Sequence, residues 1–369
     1  MTARVAGAGL TRADKPPTLD RNGSSQLLLR CRAGFHFRFI HPNFDFMKSP
    51  SEMLSRRAAL SKAGLLAGTA LAGGAIRAPA AAPAPAPPDP NHGFVLCLNT
   101  ATLRGFKMGL AEEIDLAART GYGAIEPWLD KMHRYAAEGG SLKDLGKRIA
   151  DLGLIVESAI GFAQFIVDDD ALRAKGMEQA RVDMDAVAQI GGRRIAAPPA
   201  GATKEPGLDL RKAAERYRAL LELGDQMGVV PELELWGHSQ NLRRLSEAAF
   251  VAIEAHHPRA CILADLFHLH KGGSGFEGLR LLSGDALPVI HMNDYPAQPL
   301  PEEIDDSFRI FPGDGVAPLT DILRALHDAG GHTVLSLELF NHEYWKRDPV
   351  TIARTGLEKM QAAVAKAFA

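Results

Sequence analysis

Two hydrophobic rhythms alternate along residues 92–369. Short β-rich runs recur at 94–99, 124–128, 154–160, 194–198, 229–236, 261–265, 288–293 and 333–340. Between them the apolar spacing stretches to about 3.6 residues, the period of an amphipathic helix. This happens over 110–120, 142–152, 171–190, 209–227, 242–256, 318–329 and 349–368. Gly121, Gly153, Gly191, Gly228 and Gly330 follow helical stretches, where a left-handed residue closes a helix. Eight β runs alternating with helical stretches predict a parallel sheet with right-handed crossovers. Eight units fit a closed (β/α)8 barrel, the TIM-barrel class of α/β fold, better than an open sheet, and residues 92–369 suffice for one such domain. No GxGxxG follows the first run and no GxxxxGK[ST] occurs, which argues against a nucleotide-binding open sheet.

The first ninety residues follow neither rhythm. Residues 1–52 mix Arg, Pro, Gly and Ser with an aromatic patch from Phe35 to Phe46, and are expected to be a disordered or untranslated leader. From Met53 the pattern changes. Arg56 and Arg57 precede a weakly apolar Gly/Ala-rich stretch over 63–76, then Ala78-Pro79-Ala80 and a Pro/Ala linker over 81–91. Residues 53–80 resemble a twin-arginine export signal, which implies recognition by the twin-arginine translocase and a periplasmic or otherwise exported product. The other reading is a membrane-anchoring helix, but the stretch falls short of the about 20 residues a bilayer span needs.

The composition narrows the function. Against 42 Lys and Arg stand 44 Asp and Glu, a formal net charge of −2, which argues against nucleic acid as a partner. Cys31, Cys97 and Cys261 are far apart and form no CxxC pair, so neither a disulfide framework nor a thiolate metal site is indicated.

In a barrel of this class the chemistry lies at the C-terminal ends of the strands. Four consecutive runs end in candidates: Glu234 with Glu232, Asp265 with His268, His291, and Glu338. Inward charges are costly unless paired or bound to a cation. Glu234, Asp265, His291 and Glu338 would converge on one point. Three carboxylates and an imidazole suit one Mn²⁺ or Mg²⁺ ion, with Co²⁺ also accommodated.

These residues carry a family resemblance. Glu234 in LELWG, the DxxH of Asp265 and His268, His291 in HMND, Arg309 in RIFPGDG and Glu338 in SLELF resemble the sugar isomerase/epimerase superfamily of xylose-isomerase-like barrels. That superfamily includes hydroxypyruvate isomerase, ketose 3-epimerases and inosose-processing enzymes. The resemblance implies that Glu234, Asp265, His291 and Glu338 bind the metal and that His268 and Arg309 contact substrate oxygens. It also implies a small sugar or keto-sugar substrate and, as a family-level expectation, a homo-oligomer. One departure sets the chain apart from ketohexose 3-epimerases: Gln240 stands where several of them carry a second Glu.

The expected reaction takes a proton from the carbon beside a carbonyl to give an enediolate. Glu234 and Glu338 are the acid/base pair. Return to the neighbouring carbon isomerises; return to the opposite face epimerises. A lyase or dehydratase using the same site, a non-catalytic sugar-binding barrel and a metal-dependent apurinic endonuclease are the competing classes. The net charge counts against the last. Glu157 and Trp128 are further candidates for substrate contact, although Glu126 and Glu157 also read as buried partners of basic residues, and Trp128, Phe162 and Phe165 as core.

Overall fold

The structure, a computed structural model, describes residue 89 and residues 91–369. The expected leader over 1–52, the export signal over 53–80 with Arg56 and Arg57, and all but residues 89 and 91 of the linker over 81–91 lie outside the described residues. Among the described residues no helix is long and apolar enough to cross a membrane.

Seven strands form one parallel sheet: β1 (Val95–Asn99), β2 (Ala124–Glu126), β3 (Arg194–Ala197), β4 (Val230–Glu234), β5 (Ile262–Asp265), β6 (Val289–Met292) and β7 (Val334–Leu337). Their spatial order is β2-β1-β7-β6-β5-β4-β3. The eighth expected strand, 154–160, is an extended segment that joins the two free edges. Ile155 pairs with Ala124 and Ile160 with Trp128, while the Ala196 N–H donates to the Ala159 carbonyl at 2.9 Å. Pro127 on the β2 side has no N–H to give, so the ladder beside it stays incomplete. The result is a closed TIM-barrel-like α/β fold.

Nine helices surround the described barrel: α1 (Leu110–Thr120), α2 (Leu129–Ala137), α3 (Leu142–Asp151), α4 (Asp170–Gln189), α5 (Leu210–Met227), α6 (Leu245–Glu254), α7 (Leu266–Lys271), α8 (Leu319–Asp328) and α9 (Pro349–Ala367). Seven match the predicted stretches; α2 and α7 were not anticipated. The five helix-ending glycines all have positive φ, between 73° and 97°.

Strand alternation sorts the core into two layers. Cys97, Ala124, Ala196, Leu263, Val289 and Val334 pack together inside the barrel. Leu96, Leu98, Ile125, Ile290, Met292, Leu335 and Leu337 join the cluster shared with the helices. Inward positions nearer the C-terminal ends turn polar: Asn99, Glu126, Glu234, Asp265, His291, Ser336 and Glu338 are all buried.

The PGDG turn beyond Arg309 is built around Asp294. Its carboxylate accepts the backbone N–H groups of Gly313 and Gly315 (both 3.0 Å) and of Ala317 (2.9 Å). Asp294 and Ile310 exchange backbone hydrogen bonds, which anchors the segment next to Arg309. A side chain at Gly315 would press its Cβ within 2.2 Å of the Tyr295 carbonyl and 2.3 Å of Asp294 Oδ1. Gly315→Ala is therefore expected to cost about 1–3 kcal/mol, the usual scale of overpacking, read from the midpoint of chemical denaturation. An unshifted midpoint would show that this turn yields freely.

Candidate active site

The centre of the site is the imidazole of His291, on the inward face of β6 and fully buried. Its Nε2 lies 3.1 Å from Glu126 Oε2. The same oxygen accepts from Ser336 Oγ at 2.6 Å and Asn99 Nδ2 at 2.9 Å. With Nε2 against Glu126, Nδ1 faces the other way. There Nδ1 meets Glu338 Oε2 at 3.1 Å, Asp265 Oδ2 at 3.4 Å and Glu234 Oε1 at 3.8 Å. Ligand atoms of Asp265, His291 and Glu338 all lie within 4.8 Å of one another.

This arrangement fits a divalent ion. Nδ1 has no hydrogen-bond partner, and every atom it faces is an acceptor. A cation among three carboxylates and an aromatic nitrogen satisfies them all, while the Glu126–His291 bond fixes ring and tautomer. Burial raises the pKa of Glu234 well above the usual carboxylate range, against the pull of His291. It raises Glu338 as well, again against His291. Asp265 departs the other way. Burial opposes its charge, but the Arg309 guanidinium beside it holds the carboxyl well below the usual value.

Arg309 ties the carboxylates to the mouth of the barrel. Its Nη1 lies 2.5 Å from Asp265 Oδ2 and 3.0 Å from Glu338 Oε2. Its Nη2 approaches His268 Nε2 at 3.3 Å. The Phe267 and Phe340 rings lie 4.7 and 5.3 Å from the guanidinium carbon. The DxxH spacing is a helix cap: Asp265 precedes α7, and its Oδ1 accepts the His268 N–H at 3.0 Å. Burial pushes the His268 imidazole down to about 4, so it stays neutral near pH 7.

Above these groups lies a cavity of about 140 Å³. Glu234, Glu338, His238, His268, Asp306 and Arg309 supply its polar surface; Trp128, Phe162, Trp236 and Phe340 supply aromatic walls. The Trp128 and Trp236 rings lie 5.2 and 5.9 Å from Phe162, and Trp128 lies 5.9 Å from Phe340. The Trp128 indole N–H donates to Asn99 Oδ1 at 2.9 Å. A larger groove of about 800 Å³ along α4 and α5 includes none of the strand-end residues.

The structure thus brings together Glu234, Asp265, His268, His291, Arg309, Glu338 and Trp128. It does not bring Glu157 to them, which corrects the expected substrate contact. The Glu157 carboxylate is taken up by Arg193, at 3.1 Å, and by Arg194, and it does not line the cavity. Phe165 is fully buried in the core, whereas Phe162 lines the cavity. Sequence reasoning missed the roles of Asp306, Trp236 and Phe340 as lining residues. It also missed the contact of Glu126 with His291, although a glutamate closing a strand was the available signal.

The profile described as "Xylose isomerase-like TIM barrel" matches residues 114–363. The chain is 28% identical over 280 residues to an inosose isomerase of Bacillus velezensis, covering 74% of this chain and 98% of that protein. It is 27% identical over 241 residues to a 3-dehydroshikimate dehydratase of Pseudomonas aeruginosa, covering 63% of this chain and 36% of that protein. Among solved structures it is similar to the IolI protein with a bound zinc atom, at TM-score 0.68 and 23% identity, over 75% of this chain and all of that one.

The geometry around His291 sets a first expectation for binding. Asp265→Asn and His291→Ala should each abolish stable divalent-metal binding. Glu126→Gln should weaken it about 10–100-fold, the range for groups that orient a ligand. Titration calorimetry and elemental analysis measure both effects; full metal content in Asp265→Asn and His291→Ala would sink the assignment.

Proposed function

The chain belongs to the family of xylose isomerase-like TIM barrels, and on that premise we propose that it is a divalent-metal-dependent isomerase or epimerase of a keto-sugar or cyclic keto-polyol. The observation that carries this reading is the set of three carboxylates facing the unpartnered Nδ1 of His291 beneath an aromatic-walled cavity. The likeness to inosose isomerases supports the same class. A bound divalent ion would polarise a carbonyl and acidify the neighbouring C–H. Mn²⁺, Mg²⁺ and Co²⁺ suit the donor set, and the similar IolI protein binds zinc.

The chain's own residues supply the rest. Glu234 ends β4 and Glu338 follows β7; these strands flank the β5–β6 pair that carries Asp265 and His291. The two glutamates therefore approach from opposite sides. One removes the proton beside the carbonyl and leaves an enediolate. Proton return to the neighbouring carbon isomerises, and return by the second glutamate to the other face epimerises. Arg309 and His268 stand on the cavity wall, where charge develops on substrate oxygens. A dehydratase reading uses the same first step, followed by loss of a β-hydroxyl. The likeness to 3-dehydroshikimate dehydratases supports it.

Proton exchange in D₂O, followed by proton NMR on inososes and free ketoses, tests the acid/base pair. Glu234→Gln and Glu338→Gln should each lower turnover by at least ~10²–10⁴-fold, the contribution of general acid/base catalysis. In an epimerase each variant should retain exchange on one epimer only. Wild-type exchange rates in both variants would refute the pair.

Export through the twin-arginine translocase is part of the same proposal. It rests on Arg56 and Arg57 ahead of the weakly apolar 63–76 stretch. Changing both arginines to Lys should retain the precursor in the cytoplasm, as followed by cell fractionation. An undiminished periplasmic yield would refute it.

A further inference from the structure

Asp306 stands at the cavity mouth with one carboxylate oxygen committed and one free. It opens the short 3-10 turn Asp306–Phe308, capped by Asp305 through the Ser307 N–H at 2.9 Å. Its Oδ1 accepts from Arg309 Nε at 3.0 Å and Nη2 at 2.7 Å. Among the described residues no donor reaches Oδ2, and the side chain is 40% exposed where it lines the cavity.

The charges around it leave little room for an anion. Arg309 is shared among Asp265, Glu338 and Asp306. Arg104 is paired with Asp130 at 2.9 Å and lies over the outer wall residue Trp128. The Lys271 ammonium donates to the backbone carbonyls of Pro301 and Ile304. Four carboxyl groups, those of Glu234, Asp265, Asp306 and Glu338, line or underlie the cavity, and the Arg309 guanidinium is already shared among three of them.

We propose that Asp306 is the specificity-determining residue of this site. Its Oδ1 holds Arg309, its Oδ2 accepts a substrate hydroxyl, and together they restrict the site to uncharged polyhydroxylated ketones. This deepens the isomerase reading above and rests on it. A hydroxyl donating to a carboxylate makes a strong, charge-assisted bond. A substrate carboxylate or phosphate would sit against the Oδ2 charge, and like charges so placed are disfavoured. The aromatic walls receive the apolar C–H faces of a polyol and add no charge.

The test compares two ring ketones, a neutral inosose and the carboxylate-bearing 3-dehydroshikimate, on metal-loaded protein. Trp128 and Trp236 line the cavity, so quenching of indole fluorescence reports binding directly. The wild type should bind the inosose at least about tenfold more tightly. Asp306→Asn keeps an acceptor for Arg309 but removes the charge, and should narrow that gap by about tenfold, mostly by tighter binding of 3-dehydroshikimate. Asp306→Ala also releases Arg309 and should weaken the inosose, whose hydroxyl loses its acceptor. An unchanged gap in Asp306→Asn overturns the proposal, as does a wild type that prefers the carboxylate or binds neither ring. Deuterium exchange on the bound inosose keeps the two readings apart. Selective binding without exchange sinks the isomerase reading alone; exchange with selectivity unmoved by Asp306→Asn sinks only the role of Asp306.

Discussion

Carboxylates inside a barrel must be matched by positive charge, and the upper half of this one holds four around a single imidazole. Glu126, Glu234, Asp265 and Glu338 are at most 4% exposed. Unpaired, each would favour its neutral form, because burial penalises the ion by several kcal/mol. The protein divides the compensation. Glu126 is served by His291, Ser336 and Asn99; Asp265 and Glu338 share Arg309; and His291 Nδ1 is the atom on which the proposed cation would complete the compensation. Removing any one of these partners leaves a buried charge exposed to its neighbours rather than to water.

Arg309 is correspondingly the most heavily supported side chain in the site. Three segments meet at its side chain. Helix α7 after β5 brings Phe267 and His268, its own segment after β6 brings Asp306, and the loop after β7 brings Phe340 and Asn341, whose Nδ2 donates to the Arg309 carbonyl at 3.0 Å. The Asp294 cradle then fixes the chain on its far side. A guanidinium held this way is preorganised: its orientation costs nothing when a ligand arrives.

The period-two and period-3.6 patterns made seven strands, seven helices and the convergence of Glu234, Asp265, His291 and Glu338 legible in the sequence. Each of these side chains sits in a strand or one residue past its end, where strand alternation still dictates its direction. Glu157 failed for the same reason in reverse. Its segment pairs only near its ends, so parity along 154–160 does not fix which way a side chain turns, and two arginines claimed it. Helix α2 starts directly after β2 with Trp128 as its cap, leaving no loop to signal a change of rhythm, and α7 is only six residues long. Asp306, Trp236 and Phe340 stand outside the strands, where placement depends on what the rest of the fold packs against them. The partnership of Glu126 and His291 spans 165 residues of sequence, and no local pattern encodes it.

The two glutamates proposed for proton transfer are not equivalent in this scaffold. Glu338 accepts from Arg309 Nη1 at 3.0 Å and from Asn99 Nδ2 at 3.1 Å. No arginine or lysine among the described residues forms an ion pair with Glu234, whose oxygen lies 3.8 Å from His291 Nδ1. Burial therefore acts on Glu234 with less to oppose it, and its carboxyl is driven well above the usual range. A carboxylate whose charge is poorly stabilised is the stronger base. The asymmetry comes from the position of Arg309, which leans toward β5 and β7 and away from β4. The residue that lowers the charge burden of Asp265 and Glu338 thereby also sets Glu234 apart as the more basic of the two glutamates.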